Sequence, residues 1–249
     1  MLAAFFSGVN RMQILIKDNN KPIAVLYWGS TAVRKYNHHH DKLGRFASAD
    51  GSSGDYIEEQ GLRNKHGSNS VKWDVVKSKE YTKKFLAITD NEYVATQIAK
   101  FARKALLNRD GTETEEMYAL DINNGRLITK VTDQNEIRRV GRTDRFKKLL
   151  NIAESNNTNI LIIHNHPDSS VPSLADINAL LDNERAAGIT VGHNGNVYYY
   201  TKPESQIKAM DFSIAFMKTK AYNIVDESMR REEVLGYLSK KFKFRFEKL

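Results

Sequence analysis

The sequence contains no cysteine, which excludes disulfide staples, thiolate zinc fingers and a cysteine nucleophile. Proline is scarce: there are four, and Pro167 and Pro172 fall close together. No apolar run approaches the ~20 residues that a membrane-spanning helix needs. The short apolar start, Leu2 to Phe6, has no basic residue before it and is read as something other than a signal peptide. What remains is an ordinary globular composition, 41% hydrophobic and 27% charged over 249 residues.

The net charge of +8 is unevenly spread, at +7 over residues 1–110, −2 over 111–203 and +3 over 204–249. Basic ends suggest an acidic partner such as nucleic acid. No aromatic-interleaved basic motif accompanies them, so a solvated basic surface is the preferred reading. The absence of cysteine fits a cytoplasmic location.

Gln13–Ile16 and Ile23–Trp28 are β-rich runs around a polar turn and predict a hairpin, in an N-terminal segment covering 1–43. His38, His39 and His40 point in different directions on any regular backbone and are read as a polar loop. Residues 44–70 hold ten Gly or Ser in 27 positions and few aliphatics, the composition of a flexible linker. In a helical segment over 71–110, Thr89-Asp90-Asn91-Glu92 has capping-box spacing. Val94, Ile98, Phe101 and Ala105 mark one face of a helix ending by Asn108.

From Glu115 the pattern changes. Strands over Met117–Ile122 and Arg126–Val131 flank Asn123-Asn124-Gly125, a hairpin signal. Phe146, Leu149, Leu150 and Ala153 mark a helix, and Ile160 to Ile163 is a run expected of a strand buried on both faces. Ile177, Leu180 and Leu181 mark a helix stopped by Gly188; strands over Ile189–Val191 and Val197–Tyr200 follow. The order β-β-α-β-α-β-β over 111–203 predicts an α/β fold, a three-layer-like sandwich of a mixed sheet with flanking helices. The segment 204–249 adds helical patterns near 205–221 and 228–241. There Phe242, Phe244 and Phe246 alternate with cations and predict a terminal strand.

The segment carrying chemistry is Ile162-Ile163-His164-Asn165-His166-Pro167, followed by Pro172-Ser173-Leu174-Ala175-Asp176. Residues two apart on a strand share a face, so His164 and His166 can converge on one ion. Ser173 and Asp176 project from the first turn of the next helix. Two imidazoles and a carboxylate make a three-ligand zinc site with an open fourth position. Taken alone, Ser173-x-x-Asp176 reads as a helix cap and His-x-His as two strand residues; their combination is what points to a metal. An amide-cleaving site also needs a carboxylate to take a proton from water and return it to the leaving nitrogen. Glu113, Glu115 and Glu116 are candidates, and strand alternation sends Glu115 and Glu116 to opposite faces. A solvated acidic entry to the strand is the competing reading. His193 is read as a turn residue, and Gly192-x-x-Gly195, which opens no helix, as no phosphate loop.

These residues resemble the JAMM/MPN metalloenzymes, whose pattern is Glu…His-x-His-x7-Ser-x2-Asp, and within them a RadC-like and phage-encoded branch with His-Asn-His-Pro and Pro-Ser-x-x-Asp. The resemblance covers roughly 110–203. Six residues separate His166 from Ser173 here, where the family has seven. The resemblance implies an MPN/cytidine-deaminase-like fold, His164, His166 and Asp176 as zinc ligands, Glu115 as base and Ser173 as a hydroxyl for the oxyanion. The implied activity is a zinc metallopeptidase or isopeptidase acting on peptide or isopeptide-linked protein. Two other expectations stand beside it. One is a phage head-associated structural protein, suggested by Asp41–Ala47, with phage structural proteins as partners. The other is a nucleic-acid-associated protein. No membrane partner is expected.

Overall fold

The computed structural model describes the main chain of residues 2–7, 11–18 and 21–28, and residues 69–249 in full. The His38–His40 loop, the Asp41–Ala47 resemblance and almost all of the 44–70 linker lie outside the described residues. The chain divides into two compact units, Met1–Ile57 and Glu58–Leu249. In the first, β1 (Leu2–Ser7), β2 (Arg11–Asp18) and β3 (Lys21–Trp28) form an antiparallel sheet in that order. The predicted hairpin is its β2–β3 pair, and the apolar start of the chain is its first strand.

The second unit is an α/β fold. Its six-stranded mixed sheet runs in the order β5 (Leu127–Val131), β4 (Met117–Asp121), β6 (Ile160–His166), β7 (Ala186–Gly192), β8 (Val197–Thr201), β9 (Phe246–Lys248). Only β6 and β7 run parallel. Side-chain alternation sorts the strands into two cores. Tyr118, Leu120, Leu161 and Ile163 face α1 (Trp73–Val76), α2 (Lys79–Lys83) and α3 (Glu92–Asn108), burying Val94, Ile98 and Ala105. Ala119, Ile160 and Ile162 face α4 (Asp144–Ser155), α5 (Leu174–Asn178), α6 (Ala209–Lys218) and α7 (Glu227–Lys241), burying Phe146, Leu150 and Leu235. Strand β6 is buried at every position, as its unbroken apolar run requires. Each large aliphatic or aromatic side chain so buried contributes about 1.5–3 kcal/mol of transfer free energy.

Three local expectations are corrected. The cap of α3 is Asn91, whose side chain accepts from the amides of Tyr93 and Val94 at 3.0 and 3.2 Å, so the cap lies two residues beyond Thr89 and the helix starts at Glu92. Gly188 stops no helix: α5 passes into a 3-10 turn ending at Asp182, and Gly188 lies inside β7. Its reason is packing, because a Cβ there would sit 2.3 Å from ring atoms of Tyr200, its cross-strand partner on β8. The terminal strand is shorter than its alternation suggested. Phe242 ends α7, Lys243 takes a left-handed φ of 51°, and only Phe246 of the three phenylalanines enters β9, stacked on Tyr198.

Candidate metal centre

Strand β6 brings His164 and His166 to one face at its C-terminal end, and α5 brings Asp176 against them. The two Nε2 atoms lie 3.0 Å apart. Asp176 Oδ1 is 3.5 Å from His164 Nε2, and Asp176 Oδ2 is 3.5 Å from His166 Nε2. Both histidines are buried, and the three residues form a group that could hold a metal ion. Neighbouring ligands in a tetrahedral site with bonds of about 2.0–2.2 Å stand roughly 3.3 Å apart, so this spacing fits a small divalent cation.

The local electrostatics also call for positive charge. Burial alone would lower the His166 pKa. The hydrogen bond to Asp176 and the charges of Glu115, Asp176 and Asp168 outweigh it and raise the group to about 9. Burial acts against the Asp176 carboxylate, yet the two histidines hold it well below the usual carboxylate range.

The surrounding contacts orient these three side chains. His166 Nδ1 faces the Ser170 carbonyl at 3.2 Å and its hydroxyl at 3.0 Å, leaving Nε2 for the centre. Thr190 Oγ1, from β7, is 3.4 Å from His164 Nε2. Ser173 caps α5: its hydroxyl and its amide each donate to Asp176 Oδ2 at 2.7 Å, and Asp176 N donates back to Ser173 Oγ at 3.2 Å. The cap reading of this pair therefore holds, and the cap fixes the carboxylate that stands against the two histidines. Arg142 donates to the Ala179 carbonyl at 2.7 Å, at the far end of α5.

The three candidate glutamates separate cleanly. Glu115 has the same parity as Met117 and lies on the histidine face. Burial pushes its carboxyl up, while His166 and His164 pull it down. Glu116 lies on the opposite face, 3.2 Å from the Arg109 guanidinium, and accepts from Tyr118 and Asn108 at 2.6 and 3.0 Å. Glu113 accepts from Asn69 at 3.4 Å and lies 3.8 Å from Arg138.

Sequence reasoning gave no role to Asn165 and treated His193 as a turn residue. His193 does sit in the β7–β8 turn, but it is 2% exposed and faces Asn165 at 3.3 Å. The period of two could have flagged Asn165, since a carboxamide between two inward histidines must enter the opposite core. Gly192 and Gly195 close the same turn, with Gly195 at φ 87°. Comparison of the chain with protein-family models, with curated proteins and with solved structures finds no match.

Proposed function

We propose that the second unit is a zinc-dependent amide hydrolase of JAMM/MPN type, cutting peptide or isopeptide bonds. The observation that carries this reading is the meeting of two imidazole Nε2 atoms, the Asp176 carboxylate and buried Glu115 on one sheet face. A mixed sheet with helices on both faces supports an MPN/cytidine-deaminase-like fold. Two imidazoles and one carboxylate suit zinc best among common divalent ions. A divalent ion at such a centre polarises a carbonyl and acidifies water.

The protein's own groups supply the rest. Glu115 takes the proton of the attacking water and returns it to the departing nitrogen, and its raised carboxyl pKa suits a group that must be proton donor as well as acceptor. Asp176 stays ionised and is kept in place by the α5 cap. Ser173 holds Asp176, and with its hydroxyl turned from that carboxylate it offers a donor to the oxyanion. The test is metal analysis of the purified protein coupled to a chelator-sensitive screen of peptide and isopeptide substrates. Bound zinc with cleavage that ends on chelation and on Glu115→Gln is the expected result. A fully active Glu115→Gln protein would sink the base assignment.

A further inference from the structure

Main-chain pairing between β4 and β6 reaches Met117↔His164 and goes no further. One residue beyond, the Asn165 side chain replaces it. Asn165 is 0% exposed; its Oδ1 accepts from Glu116 N at 2.8 Å, and its Nδ2 donates to the Thr114 carbonyl at 3.2 Å. One carboxamide thus grips the peptide groups on both sides of Glu115. Its second amide hydrogen faces His193 Nε2 at 3.3 Å, while His193 Nδ1 lies 2.6 Å from the Asn69 carbonyl.

A carbonyl only accepts, so Nδ1 of His193 carries a proton; Nε2 faces the Asn165 NH2, which is already a donor to the Thr114 carbonyl, and so accepts. The Glu116 N–H and the Thr114 carbonyl set the orientation of the carboxamide, and this tautomer reinforces it. A flipped Asn165 would set its oxygen against the His193 lone pair and its NH2 against Glu116 N–H. Behind this pair, Arg109 holds Glu116 and donates to Thr114 Oγ1 at 3.0 Å and to the Thr132 carbonyl at 2.8 Å. The residues flanking Glu115 are therefore held from the α3 face by side chains, beside the main-chain bridge that Thr114 makes to Ile137.

We infer that Asn165, backed by His193, is a positioning residue that fixes the backbone around Glu115 and so aims its carboxyl at the His164–His166–Asp176 group. The functional half of this statement rests on the proposed role of Glu115; the structural half does not. Nothing in the clamp touches the ligand atoms, so it acts on proton transfer rather than on metal affinity.

The test uses the full chain. In the metal-free protein, long-range imidazole NMR is expected to show His193 as the Nδ1–H tautomer. Amide exchange at Glu116 is expected to quicken about tenfold or more in Asn165→Ala relative to the amides of β7 and β8, beside the lower melting temperature that unpaired buried groups bring. If Asn165→Ala does not fold, the His193 pair decides. His193→Leu removes the acceptor and loosens Glu116, whereas Gln at 193 can accept from Asn165 and donate to Asn69, and so protects it. In zinc-loaded protein, kcat falls about 10–100-fold in the loosened variants with KM and metal stoichiometry unchanged, and His193→Gln recovers it. An Nε2–H tautomer for His193, or unchanged Glu116 exchange in both loosening variants, overturns the clamp. A confirmed clamp beside a fully active Glu115→Gln overturns the role of Glu115 instead.

Discussion

Neighbouring residues of one type are set to opposite tasks by the period of the strand. Glu115 and Glu116 differ by a single position, yet one faces two histidines and the other a buried guanidinium. Glu115→Gln is expected to retain zinc and fold normally while turnover drops about 10²–10⁴-fold, the range of a lost general base. Glu116→Gln should behave differently, because removing one partner of a buried ion pair costs about 3–5 kcal/mol. Urea denaturation separates the two, and equal stabilities would contradict the assignment of faces. His166→Ala removes a ligand and should abolish stoichiometric zinc in metal analysis. Proton linkage at the same centre gives a signed pH dependence. His166 is raised from 6.5 to about 9 in the folded metal-free protein, so its stabilisation is complete below about pH 6.5 and lost as the pH rises through about 9. Asp176 works in the other direction: its contribution is present above its ordinary 3.8 and lost as the pH falls toward its depressed value. In chelator, the urea midpoint should therefore decline between pH 6.5 and 9; a flat profile would show that His166 gains no proton affinity on folding.

Among the elements, α5 is short but decisive. Its five residues carry Asp176 in a first turn closed by a reciprocal capping box, and Ser173 ties the cap to the Asp176 carboxylate. Ser173→Ala is expected to cost about 1 kcal/mol of stability and, by freeing Asp176, to weaken zinc binding about tenfold or more. Competition with a calibrated chelator measures the second effect; unchanged affinity would make Ser173 a cap and nothing more. Strands β7 and β8 set a separate limit through Gly188. A Gly188→Ala methyl would collide with the Tyr200 ring, and overpacking of this kind costs about 1–3 kcal/mol. Most elements were legible in the sequence: α3 and α4 carry a 3.6-residue period, a turn signal marks the β4–β5 hairpin, and an unbroken apolar run marks β6. Their ends were not. Asn91 outcompeted Thr89 as a cap because its carboxamide reaches two amides at once. The Phe242–Phe246 alternation misled because a left-handed Lys243 breaks the chain direction that alternation assumes.

At the scale of the molecule, the centre and both its cores are drawn from one compact unit, Glu58–Leu249. That unit alone is expected to melt cooperatively by circular dichroism and to bind zinc as the full chain does; loss of binding would assign part of the site to residues 1–57. Among the described residues no helix is long and apolar enough to cross a membrane. The meeting of His164, His166 and Asp176 could be read from the sequence, because the two histidines lie two apart on a strand and Asp176 opens the next helix. The same period of two divided Glu115 from Glu116, although it could not say which of the two faced the histidines. That choice belongs to the tertiary structure, since it depends on which face of β4 lies beside the β6 histidines, a matter of register between segments about fifty residues apart in the chain. The hold on Glu115 depends on still longer separations. Asn69, His193, Asn165 and Thr114 meet only because the sheet orders β4, β6 and β7 side by side, and no local pattern encodes a hydrogen bond that strand order creates.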